Sequence, residues 1–221
     1  MITKAKSILL SGSVLGAFAI GGVTLVAVTQ GSVGERIADN QYQAMKRKLD
    51  TILPAAQVNN DPLQDHIQVS ASELLGAEST QVYRARQDQS PVALVLEPVV
   101  PDGYAGPIKL LVSVLHDGTL GGVRVVSHHE TPGLGDKIEE AKSDWVLDFT
   151  GKSLTNPPLE KWGVKRDGGE FDQFTGATIT PRSIVNAVRD TLLYVQQQGE
   201  TLYEPLDVDT TAPASATGGQ G

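Results

Sequence analysis

The sequence predicts an α+β fold, an antiparallel-rich sheet flanked by helices, placed behind one N-terminal apolar helix. Three observations carry that prediction. An uncharged, largely apolar run occupies residues 7–29. Four β-branched apolar runs follow between residues 81 and 127, the last two joined by Asp117-Gly118, a strong hairpin signal. Helix-period segments then follow the strands instead of alternating with them, which is the order of an α+β chain. With 221 residues, 40% hydrophobic and 20% charged, the chain has enough apolar surface to bury one core.

Taken in order, residues 1–6 form a short start and residues 7–29 a transmembrane helix. A helix of that length spans roughly 34 Å, against a hydrocarbon core of roughly 30 Å. Gly16, Gly21 and Gly22 are small residues that such helices use for close packing. The alternative is a cleaved signal peptide. Its apolar region is about 7–15 residues and ends in a small-x-small site, which Val26-Ala27-Val28-Thr29 lacks. Lys4 and Lys6 favour an inside N-terminus, with Lys46, Arg47 and Lys48 competing. Beyond residue 34, sixteen basic and twenty-six acidic residues leave −10. Such a domain sits better outside than against an anionic cytoplasmic leaflet.

Residues 30–58 read as a stalk helix and linker, with Ile37, Tyr42, Met45 and Leu49 near helical spacing and Pro54 as the stop. Residues 59–204 make the folded domain. Its start, 59–78, is polar and fits no one element. Strands are expected at 81–86, 92–99, 108–116 and 120–127, with Gly103–Gly106 and Pro107 as the loop entering the third. A glycine-rich turn covers 128–135. Residues 136–149 read as a helix with Ile138, Ala141, Trp145 and Val146 near one face, and 150–169 as a connecting loop. Thr180 as N-cap and Pro181 as first helical residue open the last helix. Ile184, Val188, Leu192 and Val195 are its buried stripe, and Gly199 ends it. Residues 205–221, rich in Thr, Ala, Ser, Gly and Asp, read as a disordered tail.

Composition excludes several functions. A net charge of −8 argues against nucleic acid as a partner. The absence of cysteine removes disulfides, thiolate zinc, Cys-ligated iron–sulfur clusters and Cys nucleophiles, so a redox role calls for an organic cofactor. His128 and His129 are adjacent in an extended run and point to opposite faces, so no metal site is expected. Glu139 and Glu140 read as an exposed helix face, Glu97, Asp102 and Asp117 as turn or edge residues, Lys137 as a solvated helix start, and Trp145 as core. No Ser-His-Asp set, Walker loop or dinucleotide fingerprint is present, so no catalytic residue is assigned.

The informative segment is Asp172-Gln-Phe-Thr175-Gly176-Ala177-Thr178. On residue types alone it is a turn feeding a helix. Its interest is position, because a hydroxyl just before a helix N-terminus lies where free N–H groups and the helix dipole favour a phosphate. This segment resembles the flavinylation motif of the FMN-binding-domain family. The resemblance implies that a dedicated flavin transferase cleaves FAD and joins FMN through a phosphodiester to Thr178. Asp172, Thr175, Gly176 and Ala177 would be its recognition sequence.

Glu130-Thr131-Pro132-Gly133-Leu134-Gly135 resembles the same family's flavin-cradling turn. The resemblance assigns Glu130, Thr131, Gly133, Leu134 and Gly135 to cofactor binding. Gly133 and Gly135 would bring backbone donors near the ring, and Thr131 would bond to ring heteroatoms. Within that family, the order of span, stalk and FMN domain resembles the G subunits of Rnf-type ion-translocating electron-transport complexes. The C subunits of sodium-translocating NADH:quinone reductases share both motifs and are the second resemblance.

The resemblance implies a single-pass protein of the bacterial inner membrane, N-terminus inside and FMN domain periplasmic. It implies an electron relay with no active site of its own, in a translocase that couples ferredoxin and NAD chemistry to ion movement. Other membrane subunits and iron–sulfur subunits would be its partners. The rival functions are a stand-alone extracytoplasmic flavin reductase, which needs a substrate cleft beside the ring, and a non-redox anchored module.

Overall fold

The computed structural model describes residues 2–204, without the side chains of residues 2–5, 7–9, 11, 28–35 and 55. The tail expected at 205–221 therefore lies outside the described residues. The chain forms two units, residues 1–48 and 49–221.

The first unit is one helix, α1 (Ile2–Ile52), whose last residues enter the second unit. Leu15, Phe18, Ile20 and Val23, which point to different sides of it, are 70–79% exposed. Among the described residues no helix is long and apolar enough to cross a membrane. The span expected at 7–29 includes residues 7–9, 11, 28 and 29, whose side chains fall outside the described set.

The second unit is built on an antiparallel sheet of β1 (His66–Val69), β2 (Thr80–Gln87), β3 (Ser90–Leu96), β4 (Val99–Val100), β5 (Ile108–Leu115) and β6 (Leu120–Ser127). β1 pairs with β2 and β2 with β3; β5 carries β3 and β4 along one edge and β6 along the other. The expected Asp117-Gly118 turn forms. Gly118 has φ +83°, and the Asp117 carboxylate accepts from the Thr119 N–H at 2.9 Å and its hydroxyl at 2.6 Å. Those bonds, the hydroxyl's first, hold the Asp117 carboxyl below its usual range.

The strand expected at 92–99 is two strands. Pro98 has no N–H to continue a ladder, while its carbonyl accepts from Leu110 at 3.0 Å, so the chain breaks between β3 and β4. β1 falls outside the expected strands. Its only fully buried side chain is Ile67, too weak an alternation to announce a strand.

One face of the sheet, with Val82, Leu94, Leu96, Val112 and Val114, shares a core with Ile184, Val185, Val188 and Leu192 of α3 (Ile179–Gln198); α2 is the single turn Ser72–Leu75. The expected stripe of α3 forms, Val195 packing at its margin, and Gly199 closes the helix. On β6, Ile52 lies so close to Gly122 that a Cβ there would stand 2.9 Å from Ile52 Cγ2. Both faces of the central strands are thus covered, which is why β3 and β5 read as continuous apolar runs and not as alternation.

The helix expected over 136–149 does not form. Instead there are two short 3₁₀ turns, Gly135–Ile138 and Asp144–Phe149. Ser143 interrupts them by accepting from the Trp145 N–H at 3.3 Å and donating to the Lys137 carbonyl at 2.6 Å, a local competition in which serine commonly defeats a helix. Ile138, Trp145 and Val146 are buried as expected, but Ala141 is exposed. Glu139 and Glu140 are correspondingly not a helix face: Glu139 pairs with His128 and Glu140 with Arg124.

Trp145 is core, as expected, and belongs to an aromatic cluster with Phe149, Phe174, Trp162 and Phe171. Trp162 and Phe171 come from the segments around the connecting loop, where polar neighbours mask them in the sequence.

Candidate functional site

The site is assembled around one buried carboxylate. Past β6 the chain turns, and Glu130, 5% exposed, projects inward. Its Oε1 accepts the Ala105 N–H at 3.0 Å and its Oε2 accepts the Thr180 hydroxyl at 2.7 Å. Two donors are what a buried carboxylate needs to offset lost hydration. The Glu130 N–H donates to His128 Nδ1 at 3.0 Å, which leaves the ring proton on Nε2, donated to Glu139 at 2.9 Å. Gly135 is required here, because a Cβ on it would collide with the Glu130 carboxylate. One side chain therefore ties the 128–135 turn, the 103–106 loop and the start of α3. The Ser183 hydroxyl adds a second tie, donating to the Asp102 carbonyl at 2.9 Å.

Thr178 is the N-cap of α3, and Thr180, expected in that role, lies inside the first turn. The physical reason is the Glu130 bond: the Thr180 hydroxyl is fully buried and engaged in tertiary structure, so it is not free to cap. Thr178 is half-exposed and its hydroxyl makes no capping bond. The preceding turn is closed by the Ala177 N–H on the Phe174 carbonyl at 3.1 Å, with Gly176 at φ +84°. A Cβ on Gly176 would stand 3.6 Å from Leu134 Cδ2, so the two motif segments, more than a loop apart in sequence, are neighbours.

Asp172 is exposed and paired with Lys165 at 2.6 Å, while its carbonyl accepts the Trp145 indole N–H at 2.8 Å. Thr175 is exposed and Ala177 buried. Arg182, one turn into α3, grips Asp167 through two bonds of 2.6 and 3.0 Å. That hydrogen bond holds the Asp167 carboxyl below its usual range.

One expectation is overturned. Gly133 and Gly135 do not offer their N–H groups outward. Gly133 donates to Asp136 Oδ1 at 2.7 Å and Gly135 to the Thr131 carbonyl at 3.2 Å, so the turn consumes both. What it presents is the exposed Thr131 side chain and the half-covered Leu134. His129 and Lys137 are also exposed. Among the described residues no group of three or more His, Asp or Glu is placed to hold a metal. Sequence reading missed Asp136, Thr180 as a buried tie, and Tyr104; the last stands in Gly-Tyr-Ala-Gly, where an aromatic between turn-formers was the available signal.

Two family matches cover the chain's elements: residues 1–52 match the RnfG N-terminal region and residues 103–193 the FMN-binding domain. Over 201 residues the chain is 47% identical to the G subunit of the ion-translocating oxidoreductase complex of Pseudomonas aeruginosa, spanning 90% of this chain and 94% of that one.

The chain belongs to the family of G subunits of ion-translocating oxidoreductase complexes.

The G subunit of Escherichia coli is 48% identical over 191 residues, 86% of this chain and 92% of that one. That of Shewanella loihica is 44% identical over 198 residues, 89% and 93%. In this member of the family the FMN-binding match opens at the Tyr104 loop and closes within α3, so it encloses both motif segments. The residues present fit FMN. Thr178 offers an uncapped hydroxyl at a helix N-terminus, and the surface beside it carries neutral side chains, Leu134, Ile179 and Tyr104, 43–67% exposed.

Proposed function

We propose that this chain is a membrane-anchored flavoprotein subunit that relays electrons through FMN joined to Thr178 by a phosphodiester. The observation that carries the reading is the position of Thr178: a half-exposed, uncapped hydroxyl at the mouth of a 20-residue helix, beside the Leu134 turn. In the attachment step the Thr178 oxygen forms a bond to the FMN phosphorus of FAD, the pyrophosphate bond breaks, AMP leaves with the electron pair, and the hydroxyl proton passes to solvent. Exposed Asp172 and Thr175 are the features a flavin transferase would read. Once bound, the flavin supplies reversible electron transfer, and the chain supplies position.

The Glu130 strut holds the helix start, and the turns of 128–135 and 174–177 form a fixed wall. The chain's own residues provide no general acid or base at the site, which suits a relay. Two grooves, of about 410 Å³ beside His116, Leu192 and Glu200 and about 300 Å³ beside Ser72, Asn186 and Arg189, include no residue of either motif. A stand-alone reductase would need such a cleft beside Thr178.

The uncharged stretch 7–29 anchors the chain with its N-terminus inside, and the acidic folded domain lies on the periplasmic side of the inner membrane. The relatives' shared name supports assembly with further membrane and iron–sulfur subunits into a translocase.

Intact mass of the full chain co-expressed with a flavin transferase tests this. The wild type is expected to gain the mass of FMN, and Thr178→Ala to gain nothing while keeping its circular dichroism. An unmodified wild type under those conditions overturns the reading. Rapid turnover of the flavinylated chain with soluble acceptors would favour the reductase.

A further inference from the structure

Large apolar side chains left exposed in the second unit are, among the described residues, Tyr104, Leu134, Leu159 and Ile179. Three of them meet at the Glu130 carboxylate. Tyr104 directly precedes Ala105, whose N–H binds Oε1; Ile179 directly precedes Thr180, whose hydroxyl binds Oε2. By the shortest chain of bonds the Tyr104 and Ile179 Cα atoms are no more than about 16 Å apart. Leu134 lies on the Gly176 turn two residues before Thr178, and its neighbour Gly135 packs on Glu130. Tyr104 is 67%, Ile179 45% and Leu134 43% exposed, and none of them carries charge.

Exposing three such side chains from three separate elements costs hydrophobic free energy unless something covers them. The polar strut beneath them is also fully satisfied, so the patch is a built surface and not a packing defect.

We propose that Tyr104, Leu134 and Ile179 form the platform for the isoalloxazine ring of the FMN on Thr178, with the Tyr104 phenol against the ring face. This rests on the covalent reading above. The occupant follows from the tether: the residue that carries the phosphate is adjacent to Ile179, and a short flexible link gives an effective concentration on the order of millimolar, enough to fill even a weak apolar site. Aromatic stacking on the phenol adds to the burial. Tyr104 is thus a ring-positioning residue, reached through the Ala105–Glu130 bond and absent from both sequence motifs.

Fluorescence lifetime of flavinylated full chain, with loading verified by mass, tests the proposal. A phenol in contact with an excited flavin quenches it by reversible electron exchange, whereas a phenyl ring does not. The wild type is expected to be strongly quenched, Tyr104→Phe to lengthen the lifetime several-fold at the same FMN mass, and Tyr104→Trp to restore the quench. Equal lifetimes in wild type and Tyr104→Phe, both carrying FMN, overturn this proposal and leave the covalent reading standing. Equal lifetimes together with self-association abolished in Tyr104→Ser would give the patch to a second copy. A wild type that gains no FMN mass overturns both.

Discussion

The sheet and the 128–178 segment are held together by different physics. β2, β3, β5 and β6 are joined by backbone ladders, and their side chains need only be apolar and of suitable volume. The 128–178 segment has almost no ladder. It is held by individual polar atoms, such as the Trp145 indole on the Asp172 carbonyl and the Glu130 carboxylate, and by one aromatic cluster. The sheet is therefore tolerant and carries nothing at the site, while the irregular segment is specific and carries nearly all of it. Precision was built where periodicity is absent.

The largest test of that contrast is truncation on each side. Phe149 is fully buried, stacked on Phe171 with centroids 4.7 Å apart. Phe149→Ala is expected to cost about 3–5 kcal/mol in denaturant unfolding and to abolish flavin attachment along with order in the segment. Leu94→Ala in the sheet is expected to cost about 2–5 kcal/mol while leaving attachment in the folded fraction unchanged, measured by mass. Equal loss of attachment per folded molecule in both variants would erase the contrast.

Next comes the strut. Glu130→Ala strands the Ala105 N–H and the Thr180 hydroxyl and is expected to cost about 2–3 kcal/mol. Glu130→Gln, which can accept from the Ala105 N–H and donate to the hydroxyl, is expected to cost under about 1 kcal/mol. The flavin midpoint potential discriminates further: a large shift in Glu130→Gln would make this carboxylate a flavin contact instead of a strut.

A smaller effect is expected from Trp145→Phe, which keeps most of the packing and removes the bond to Asp172, at about 1 kcal/mol. Flavin transfer should slow because the Asp172 backbone is no longer held. Unchanged transfer kinetics would remove Trp145 from the site's support.

The smallest is electrostatic. The Asp167 carboxyl is held low by the Arg182 hydrogen bond, so its contribution is present above its unfolded value and is lost as pH falls through the lowered folded value. Asp167→Asn is expected to flatten the acid limb of a stability–pH curve below about pH 4 and to change nothing at neutral pH. Asp117 offers the matching control in the sheet, its tie being the Thr119 hydroxyl in place of a cation. A neutral-pH loss in Asp167→Asn would show that the pair matters more than an exposed ion pair usually does.

Legibility follows the same division. β2, β5, β6 and α3 were readable because runs of Val, Ile and Leu with turn signals at their ends have few other folds available. β1 was not, having one buried side chain to announce it, and neither were the core positions of Trp162 and Phe171, isolated among polar residues. The helix expected over 136–149 failed for a local reason, Ser143 bonding to its own backbone neighbours. Of the site, Thr178 and its turn were legible as a motif. Tyr104 was not, because nothing in a Gly-Tyr-Ala-Gly loop tells which helix it will meet.

The sequence by itself determined the α+β class, the central strands, the last helix and the position of Thr178, since each depends on spacing along the chain. The tertiary structure decided which donors are spent and which surfaces remain. It gave the Gly133 and Gly135 N–H groups to their own turn, moved the helix cap from Thr180 to Thr178, and gathered Tyr104, Leu134 and Ile179 around one carboxylate. A hydrogen bond across 25 or 50 residues has no local periodicity to betray it, so only the folded chain can place it.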